Sequence, residues 1–316
     1  MNTRAVSDSP EQVVKIAGAY LRGIQKEGLM AGGCKHFPGD GVDDRNQHFC
    51  TSVNSLSKEE WWKTYGYVYK KILAEKPVSV MVGHISAPAL QPTEDFDEVT
   101  GYKPATLSRE LMTGLLRGKL GFEGCIVSDA LSMVGVATAV PEERLPVEFI
   151  NAGGDMALFA EPEYFDYIKN AVTEGIIPMP RLKDAVSRIL AMKDAVGLLS
   201  KEQPEIGGST ELEQTAMQIA EKSIKIVRDA EKILPLNIKP GENVLICNLM
   251  YNDGESDELP SFATVERELN RRGILTTVLQ NPKHRDIERV LDEKSRLACL
   301  LIPAIQCVIA AAARCV

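Results

Sequence analysis

The spacing of apolar residues in the first part of the chain predicts strands that alternate with helices. Ser9 and Pro10 precede a stretch with an apolar stripe of helical period, so they open a helix that runs to about residue 28. A continuous apolar run at 77–85 indicates a strand that is covered on both faces. Two shorter apolar runs, at 125–128 and 155–159, indicate further strands of the same kind.

Helical segments fill the intervals between these strands. Ser57 and Glu60 match the capping-box pattern that opens one helix. Further helices are predicted at 108–120, 141–152, 162–174 and 180–197. Strands that alternate with helices form a parallel sheet of right-handed βα units. With the apolar run at 29–31 counted as the end of a strand, we expect four such strands.

A second alternating segment follows a polar linker at 201–204. A helix at 211–230 leads into it, and its strands are predicted at 244–249, 274–279 and 298–302. We therefore expect three parts, which are a first domain at 1–200, a connecting helix and linker at 201–235, and a second α/β domain at 236–316.

The composition is that of an ordinary globular protein, with 44% apolar and 25% charged residues among 316. A net charge of −8 without a basic stripe argues against nucleic acid as a partner. No run reaches the ~20 apolar residues of a membrane span, and no secretory signal is visible, so we expect a cytoplasmic protein without membrane partners. The seven cysteines have no regular spacing, which favours reduced thiols such as Cys34, Cys125 and Cys247.

The densest chemistry lies in the segment from Lys35 to His48. It holds two histidines, three aspartates and two strong cations, and Pro38 and the neighbouring glycines are typical of a turn. Because an apolar run ends just before it, we expect these charged groups where a buried strand opens into a loop. In a parallel α/β protein, ligands bind at that end of the strands. The alternative is a solvated turn.

A second segment places a carboxylate at the end of a short buried strand. Residues 121–128 read as a turn followed by the strand, and Asp129 comes next. A carboxylate at that position costs desolvation energy without an obvious structural return, so a chemical role is favoured. The alternative is that Asp129 caps a helix whose pattern opens at Leu131.

Together the two segments resemble glycoside hydrolase family 3, a family of retaining exo-glycosidases. The family pattern reads Lys-His-Phe-Pro-Gly with a loop that ends in histidine, and later Gly-Phe-Asp-Gly, a short apolar stretch, Ser-Asp and Leu-x-Met. Further similar segments, in the family's order, lie at 2–4, 80–85, 104–108, 152–156, 187–193 and 233–236. The loop that ends at His48 resembles the β-N-acetylhexosaminidase branch rather than the β-glucosidase branch.

The resemblance implies an architecture larger than the chain. The family's first domain is a (β/α)₈ barrel, which needs eight strands and about 250 residues. Residues 2–4 resemble the end of the fourth barrel strand. We therefore expect the C-terminal half of a TIM-type barrel, followed by the beginning of an α/β/α sandwich domain, with the chain truncated at both ends. We expect such a fragment to be insoluble or oligomeric and to have no measurable glycosidase activity, because half a barrel leaves open sheet edges.

The resemblance also implies catalytic roles. Asp129 would be the nucleophile and His48 the acid/base, since a histidine with its ordinary pKa near 6.5 can donate and accept a proton near neutral pH. Asn46 stands where the family motif has an aspartate partner for the histidine. An amide oxygen can accept the imidazole N–H but cannot stabilise the imidazolium by charge. Asp43 or Asp44 is an alternative partner.

The remaining site residues are expected around the sugar. The resemblance implies that Arg4, Lys35 and His36 hold the hydroxyls of the terminal sugar, and the alternative for Lys35 and His36 is a structural salt link beneath the loop. His84 ends a strand on the same rim, where a supporting role beside the catalytic groups and a buried structural histidine are equally favoured. Met133 is expected as an apolar wall of the sugar site or as ordinary core.

These residues predict retaining exo-hydrolysis of terminal β-linked N-acetylhexosamine. A β-glucosidase or another β-glycosidase of the family is the first alternative, and a non-catalytic pseudoenzyme or inactive fragment is the second. We expect no metal and no cofactor, because a possible calcium loop at 40–44 lacks a side-chain ligand at Val42 and no glycine-rich phosphate loop follows a strand. The sequence leaves the oligomeric state open.

Overall fold

The computed structural model describes residues 5–200, 210–226, 232, 234–248, 263–293 and 297–301. The chain divides into two compact units, 1–205 and 206–316, and each is described by itself. None of the helices in these ranges combines the length and apolar composition that a membrane span requires.

Four parallel strands form the main sheet of the first unit, as predicted. In chain order, its strands are β1 (Gly33–Phe37), β2 (Ser52–Val53), β3 (Ser79–Val82), β4 (Ile85–Ser86), β5 (Phe96–Asp97), β6 (Gly101–Tyr102), β7 (Cys125–Ala130) and β8 (Met156–Leu158). The main sheet has the order β1-β3-β7-β8, so successive βα units lie side by side. The short strands β2 and β4 pair in parallel, and β5 and β6 pair antiparallel.

Helices alternate with the strands of the main sheet along the chain. They are α1 (Pro10–Gln25), α2 (Lys58–Lys63), α3 (Tyr65–Leu73), a π-helix (Glu110–Lys119), α4 (Val134–Ala137), α5 (Leu145–Ala152), α6 (Tyr164–Thr173) and α7 (Met179–Ala195). The capping box before α2 is confirmed, because Ser57 Oγ accepts from Glu60 N at 3.2 Å and Glu60 Oε2 accepts from Ser57 N at 3.0 Å. Ser9 caps α1 through a single hydrogen bond, in which its Oγ accepts from Gln12 N.

The predicted helix at 108–120 is present, but its hydrogen bonds are of the π type. At its end Leu120 N donates to Leu115 O, five residues back, and Ser108 Oγ accepts from Leu111 N at its start. Ten residues are too few for apolar spacing to separate the two kinds of helix. The sequence therefore predicted that a helix is present, but not that its hydrogen bonds are of the π type.

The core lies between one face of the sheet and the helices. Phe37, Val80, Val82 and Ile126 are fully buried on the strands, where they pack with apolar side chains of the surrounding helices. Trp61 belongs to this core, its ring packs edge-on against Phe37, and its Nε1 donates to Pro38 O at 2.9 Å. The loop after β1 is therefore anchored to the core at its first turn.

The first strand begins later than predicted. The apolar run at 29–31 is not a strand, and Leu29 and Met30 are exposed. The pairing of Gly33 with Ser79 and of Phe37 with Val82 instead places β1 over a segment in which Lys35 and His36 interrupt the apolar residues. Lys35 and His36 consequently lie on the strand itself rather than in the loop. The prediction was wrong because the position of the strand is decided by its hydrogen bonds to β3 and by the burial of Phe37, and not by the apolar run at 29–31.

Below the sheet, at the amino end of β8, Asp155 holds three segments together. Its side chain is fully buried, and its oxygens lie 2.5 Å from Arg117 Nη2 and 2.5 Å from Arg181 Nη2. The carboxylate also accepts from Ile126 N at 2.8 Å. The aspartate thus joins the π-helix, the strand β7 and the helix α7 by charge-assisted hydrogen bonds.

The second unit contains a three-stranded parallel sheet. Its elements are α8 (Thr210–Ser223), β9 (Asn243–Asn248), α9 (Ala263–Arg271), β10 (Leu275–Gln280), α10 (His284–Glu293) and β11 (Leu297–Leu301), with the sheet order β10-β9-β11. Alternate residues of β9 enter two separate apolar clusters, one with Ile274 and the other with Val290. The three predicted strands are confirmed with shifts of about one residue, and both sheet faces are covered.

The helix predicted at 211–230 is shorter than expected. It ends at Ser223, whose Oγ donates to Ala220 O at 2.8 Å and satisfies a carbonyl of the last turn. Residues 224–226 are not helical, and 227–231 lie outside the described residues. Of the cysteines that the sequence singled out, Cys125 and Cys247 are buried free thiols, and Cys34 is a half-buried free thiol.

Candidate active site

Two strands of the main sheet bring His36 and Asp129 together. β1 and β7 lie on either side of β3, and their carboxyl ends meet at one edge. His36 Nε2 lies 3.2 Å from Asp129 Oδ2, and the other oxygen of Asp129 accepts from Ala130 N at 2.8 Å. The aspartate is part of β7, and the next helix, α4, begins only at Val134. The interpretation of Asp129 as a helix cap is therefore wrong.

A second carboxylate contacts the opposite side of the same imidazole. His36 Nδ1 lies 3.0 Å from Asp40 Oδ2, and Gln47 Nε2 donates to the same oxygen at 3.1 Å. Tyr65 donates its hydroxyl proton to Asp40 O at 2.7 Å, which fixes the backbone there. His36 is buried between the two carboxylates. A histidine on β1 thus connects its own loop with the neighbouring carboxylate on β7.

The protonation states follow from this geometry. Burial acts to lower the pKa of His36, but the hydrogen bonds to Asp129 and Asp40 outweigh it and raise that pKa above its ordinary value. Burial acts to raise the pKa of Asp129, but the bonds from His36 and Ala130 N outweigh it and hold that pKa well below its ordinary value. The pKa of Asp40 is lowered in the same way. These shifts favour ionised carboxylates around a protonated imidazole.

Gln47 ties the loop to the rest of the site. Its side-chain oxygen accepts from His84 N at 2.6 Å, and its backbone oxygen accepts from Gly135 N at 3.1 Å. A Cβ on Gly135 would lie 2.4 Å from that backbone oxygen, so the close approach requires glycine. Gln47 is buried. The loop after β1 is consequently held against the segments that follow β3 and β7.

His84 is a neutral, fully buried histidine. Its Nε2 lies 2.9 Å from Ala130 O and its Nδ1 lies 2.8 Å from Thr106 Oγ1. Burial lowers the pKa of His84 to about 4, and nearby Asp129, His36 and His48 also influence it. A carbonyl only accepts, so Nε2 carries the proton and donates to Ala130 O. His84 thereby supports the backbone next to Asp129.

His48 lies on the loop and is exposed to solvent. Its Nδ1 is 2.7 Å from Asn46 Oδ1, and its backbone N–H donates to the same oxygen at 3.0 Å. The charge of His48 is one of the influences on the pKa of His84. The amide of Asn46 thus fixes one ring nitrogen of His48, and the ring stays open to a ligand.

Comparisons with known proteins identify the family. The profile of the Glycosyl hydrolase family 3 N terminal domain matches residues 1–192. The chain belongs to glycoside hydrolase family 3. It is 37% identical over 260 residues to a β-N-acetylglucosaminidase/β-glucosidase of Cellulomonas fimi, an alignment that covers 78% of this chain and 45% of that protein. The resemblance in the sequence is therefore confirmed.

Solved structures agree with this assignment. A β-glucoside phosphorylase named BglX is 30% identical, with a TM-score of 0.69, over 89% of this chain and 54% of that one. A family 3 β-N-acetylglucosaminidase from Paenibacillus sp. str. FPU-7 shares the fold at 24% identity and a TM-score of 0.75, over 92% of this chain and 56% of that one. The chain spans about half the length of the relatives that it matches.

Two other charged residues of the family 3 loop, Asp43 and Arg45, bind each other. Arg45 Nε and Nη2 lie 2.8 and 2.6 Å from Asp43 Oδ2, and Val53 N donates to the same carboxylate at 2.8 Å. The bonds from Arg45 lower the pKa of Asp43 to about 2. Asp43 therefore binds Arg45 and the backbone of Val53, and the partner of His48 is Asn46.

Three more residues were predicted to line the sugar site, and they lie in different parts of the chain. Lys35 is exposed on β1, and its charge acts on neighbouring His36. Met133 is buried and directly precedes α4. Arg4 lies outside the described residues.

Sequence reasoning missed Asp40, Gln47 and Thr106. Asp40 stands between Gly39 and Gly41, and a carboxylate held in a tight turn four residues after His36 was the available signal. Gln47 directly precedes His48, and its buried amide had no signal in the pattern. Thr106 lies within a segment that matches the family pattern, but only the fold brings it to His84.

Proposed function

We propose that this family 3 protein is a retaining β-glycosidase that removes terminal β-linked N-acetylhexosamine. The observation that carries the proposal is an ionised carboxylate, Asp129, which His36 holds at the carboxyl end of β7. Exposed His48 lies on the loop that follows β1, the strand that carries His36. The name of the Cellulomonas relative includes this sugar as well as glucose. The chain spans about half the length of its relatives, so this activity is proposed for the whole protein.

In the first step, Asp129 attacks the anomeric carbon while His48 donates a proton to the leaving oxygen. The bond from the anomeric carbon to that oxygen breaks, and a covalent glycosyl-aspartate forms. In the second step, His48 removes a proton from water, the water attacks the same carbon, and the bond to Asp129 breaks. Two displacements at one carbon retain its configuration.

Asn46 and His84 support these two groups. Asn46 accepts from His48 Nδ1, so the transferred proton resides on Nε2. His84 fixes Ala130 and with it the peptide that donates to Asp129. Without a carboxylate beside it, His48 gains no charge stabilisation in its protonated form, so the acid/base step is slower than with aspartate at position 46.

Lys35, Arg4 and Met133 complete the sugar site in this proposal. Lys35 is an exposed cation next to the charged cluster, and it suits hydrogen bonds to hydroxyls. Met133 offers an apolar contact to the sugar ring. His36 already has a carboxylate at each ring nitrogen, so a sugar hydroxyl would share one of those N–H groups.

Covalent trapping tests this function. We expect the encoded protein to hydrolyse nitrophenyl β-N-acetylglucosaminide faster than nitrophenyl β-glucoside, and to release a product whose anomeric configuration is retained. A 2-fluoro β-glycoside should label the peptide that contains Asp129, and the Asp129→Asn variant should remain unlabelled. A folded protein without turnover of either substrate would favour the non-catalytic alternative, and faster turnover of the glucoside would favour a β-glucosidase.

Phosphate is a second candidate for the acceptor in the deglycosylation step. When neutral, the pair Asn46 and His48 has no negative charge, so it does not repel an anionic nucleophile as a carboxylate would. The solved relative that is named a β-glucoside phosphorylase supports this candidate. Added inorganic phosphate should then divert product to the sugar 1-phosphate, and an unchanged product in its presence would exclude phosphorolysis.

A further inference from the structure

One imidazole in the proposed site is shared by two carboxylates. His36 lies 3.0 Å from Asp40 Oδ2 through Nδ1 and 3.2 Å from Asp129 Oδ2 through Nε2. An ionised carboxylate only accepts hydrogen bonds, so both contacts are satisfied only when both ring nitrogens carry protons. A neutral ring would turn a lone pair toward one of the carboxylates. The geometry therefore requires an imidazolium.

Two hydrogen bonds and two flanking glycines fix the position of Asp40. Gln47 donates to its side chain, and Tyr65 donates to its backbone oxygen. It lies between Gly39 and Gly41, whose φ angles are 135° and 106°. A Cβ on Gly39 would lie 2.3 Å from the Tyr65 ring, so no larger residue fits there without displacement. These contacts present the carboxylate of Asp40 to His36 in one orientation.

We infer that Asp40 is a positioning residue that acts through His36, holding the ring doubly protonated so that its Nε2–H fixes Asp129. The inference rests on the proposed role of Asp129 as nucleophile. Asp40 itself contacts neither Asp129 nor the exposed histidine of the loop in the described structure. Its effect reaches the nucleophile through the ring that lies between them.

The charged and titratable groups around His36 determine the sign of the effect. Asp40 in the loop and Asp129 on β7 favour the imidazolium, Lys35 on β1 opposes it, and His84, which follows β3, is neutral. Burial also opposes the charged form. Without the charge of Asp40, burial and Lys35 act against one carboxylate instead of two, so the pKa of His36 falls. Asp129 then loses its cationic donor at a lower pH than in the parent protein.

The inference is tested by following the histidine rings directly. The encoded protein is labelled at the ring carbons, and the signal of His36 is assigned by its loss in the His36→Gln variant. We expect His36 to titrate above 6.5 in the parent and about one pH unit or more lower in the Asp40→Asn variant. The matched control is Asp44→Asn, because Asp44 is an exposed carboxylate of the same loop, and it should leave the titration in place.

Two further measurements complete the test. Asp40→Asn should move the basic limb of the kcat/KM profile to lower pH, whereas Asp44→Asn should not move it, and Asp40→Glu should partly restore it. A pKa of His36 below 6.5 in the parent would overturn the inference even if the variants fail to fold. An unchanged titration in Asp40→Asn would overturn it as well. Absence of turnover would instead count against the proposed glycosidase, since the ring titration does not require activity.

Discussion

The two ends of the main sheet each hold an aspartate beside cationic side chains, but they differ in exposure and in the kind of cation. At the carboxyl end, the side chain of Asp129 is 16% exposed and contacts the imidazole of His36. At the amino end, the side chain of Asp155 is 0% exposed and lies between Arg117 and Arg181. A guanidinium keeps its charge at all relevant pH values, whereas an imidazole can release a proton.

This difference separates a structural carboxylate from a reactive one. Asp155 is closed to solvent and neutralised by two permanent charges, so it can stabilise the fold but cannot meet a ligand. Asp129 remains accessible, and its partner responds to pH. In barrels of this type, chemistry takes place at the carboxyl ends of the strands and stability resides at the amino ends. Burial together with the kind of partner distinguishes the two roles where residue type alone does not.

The largest expected effect is on turnover. Asp129→Asn should lower kcat/KM for nitrophenyl β-N-acetylglucosaminide by about 10⁴-fold, or about 5.5 kcal/mol, because an amide cannot attack the anomeric carbon. The free energy of unfolding, measured in urea, should change by less than about 1.5 kcal/mol, since the amide oxygen still accepts a hydrogen bond. Activity within tenfold of the parent would remove Asp129 from the nucleophile role.

The opposite result is expected at the amino end of the sheet. Asp155→Asn should lower the free energy of unfolding by about 4 kcal/mol, because two largely buried guanidinium groups lose their counter-charge. Turnover per folded molecule should stay close to that of the parent. Asp184→Asn is the matched control, since Asp184 also pairs with Arg181 but is 44% exposed, and it should cost less than about 1 kcal/mol. Equal losses in both variants would contradict the comparison.

Acid should destabilise the site through His84. Burial lowers the pKa of His84 to about 4 in the folded protein, against about 6.5 in the unfolded chain, so the unfolded chain binds the proton first. The contribution is fully present above pH 6.5, and about 3 kcal/mol is lost as the pH falls to 4. The difference in unfolding free energy between the parent and His84→Gln should therefore vary with pH across that window. A constant difference would show that His84 is not buried in neutral form.

The smallest expected effect concerns the acid/base pair. Asn46→Asp should raise kcat/KM by several-fold, or about 1 kcal/mol, and should move the basic limb of its pH profile upward. The sign follows because a carboxylate 2.7 Å from His48 Nδ1 would favour the imidazolium. Asn46→Ala is the control, because it removes the acceptor without adding charge and should lower activity. An unchanged profile in both variants would separate His48 from the rate-determining proton transfer.

Local patterns predicted much of the fold. The alternation of strands and helices, the four parallel strands and the capping box at Ser57 depend on residues close together in sequence, and each is confirmed. The position of β1 was predicted wrongly, because its segment has no apolar run and its identity as a strand depends on pairing with β3. A ladder partner some 45 residues away leaves no mark on local hydrophobic spacing.

The residues around Asp129 show the same division. The family pattern brought Asp129, His48 and Lys35 to attention, and their roles remain predictions. Asp40 and Gln47 were overlooked, because a loop carboxylate and a polar amide have ordinary solvated interpretations until the chain folds back. The turn at Gly39 and Gly41 brings the carboxylate of Asp40 to His36, and Gln47 donates a hydrogen bond to the same carboxylate.

The sequence by itself determined the alternating elements, the family and the chemical groups available near one edge of a sheet. Only the tertiary structure decided which of those groups form hydrogen bonds with one another. His36 and Asp129 are 93 residues apart in sequence, and they meet because β1 and β7 both pair with β3. Residue order encodes local period and residue type, whereas distances between charges, and therefore pKa values, arise when parallel strands align their ends.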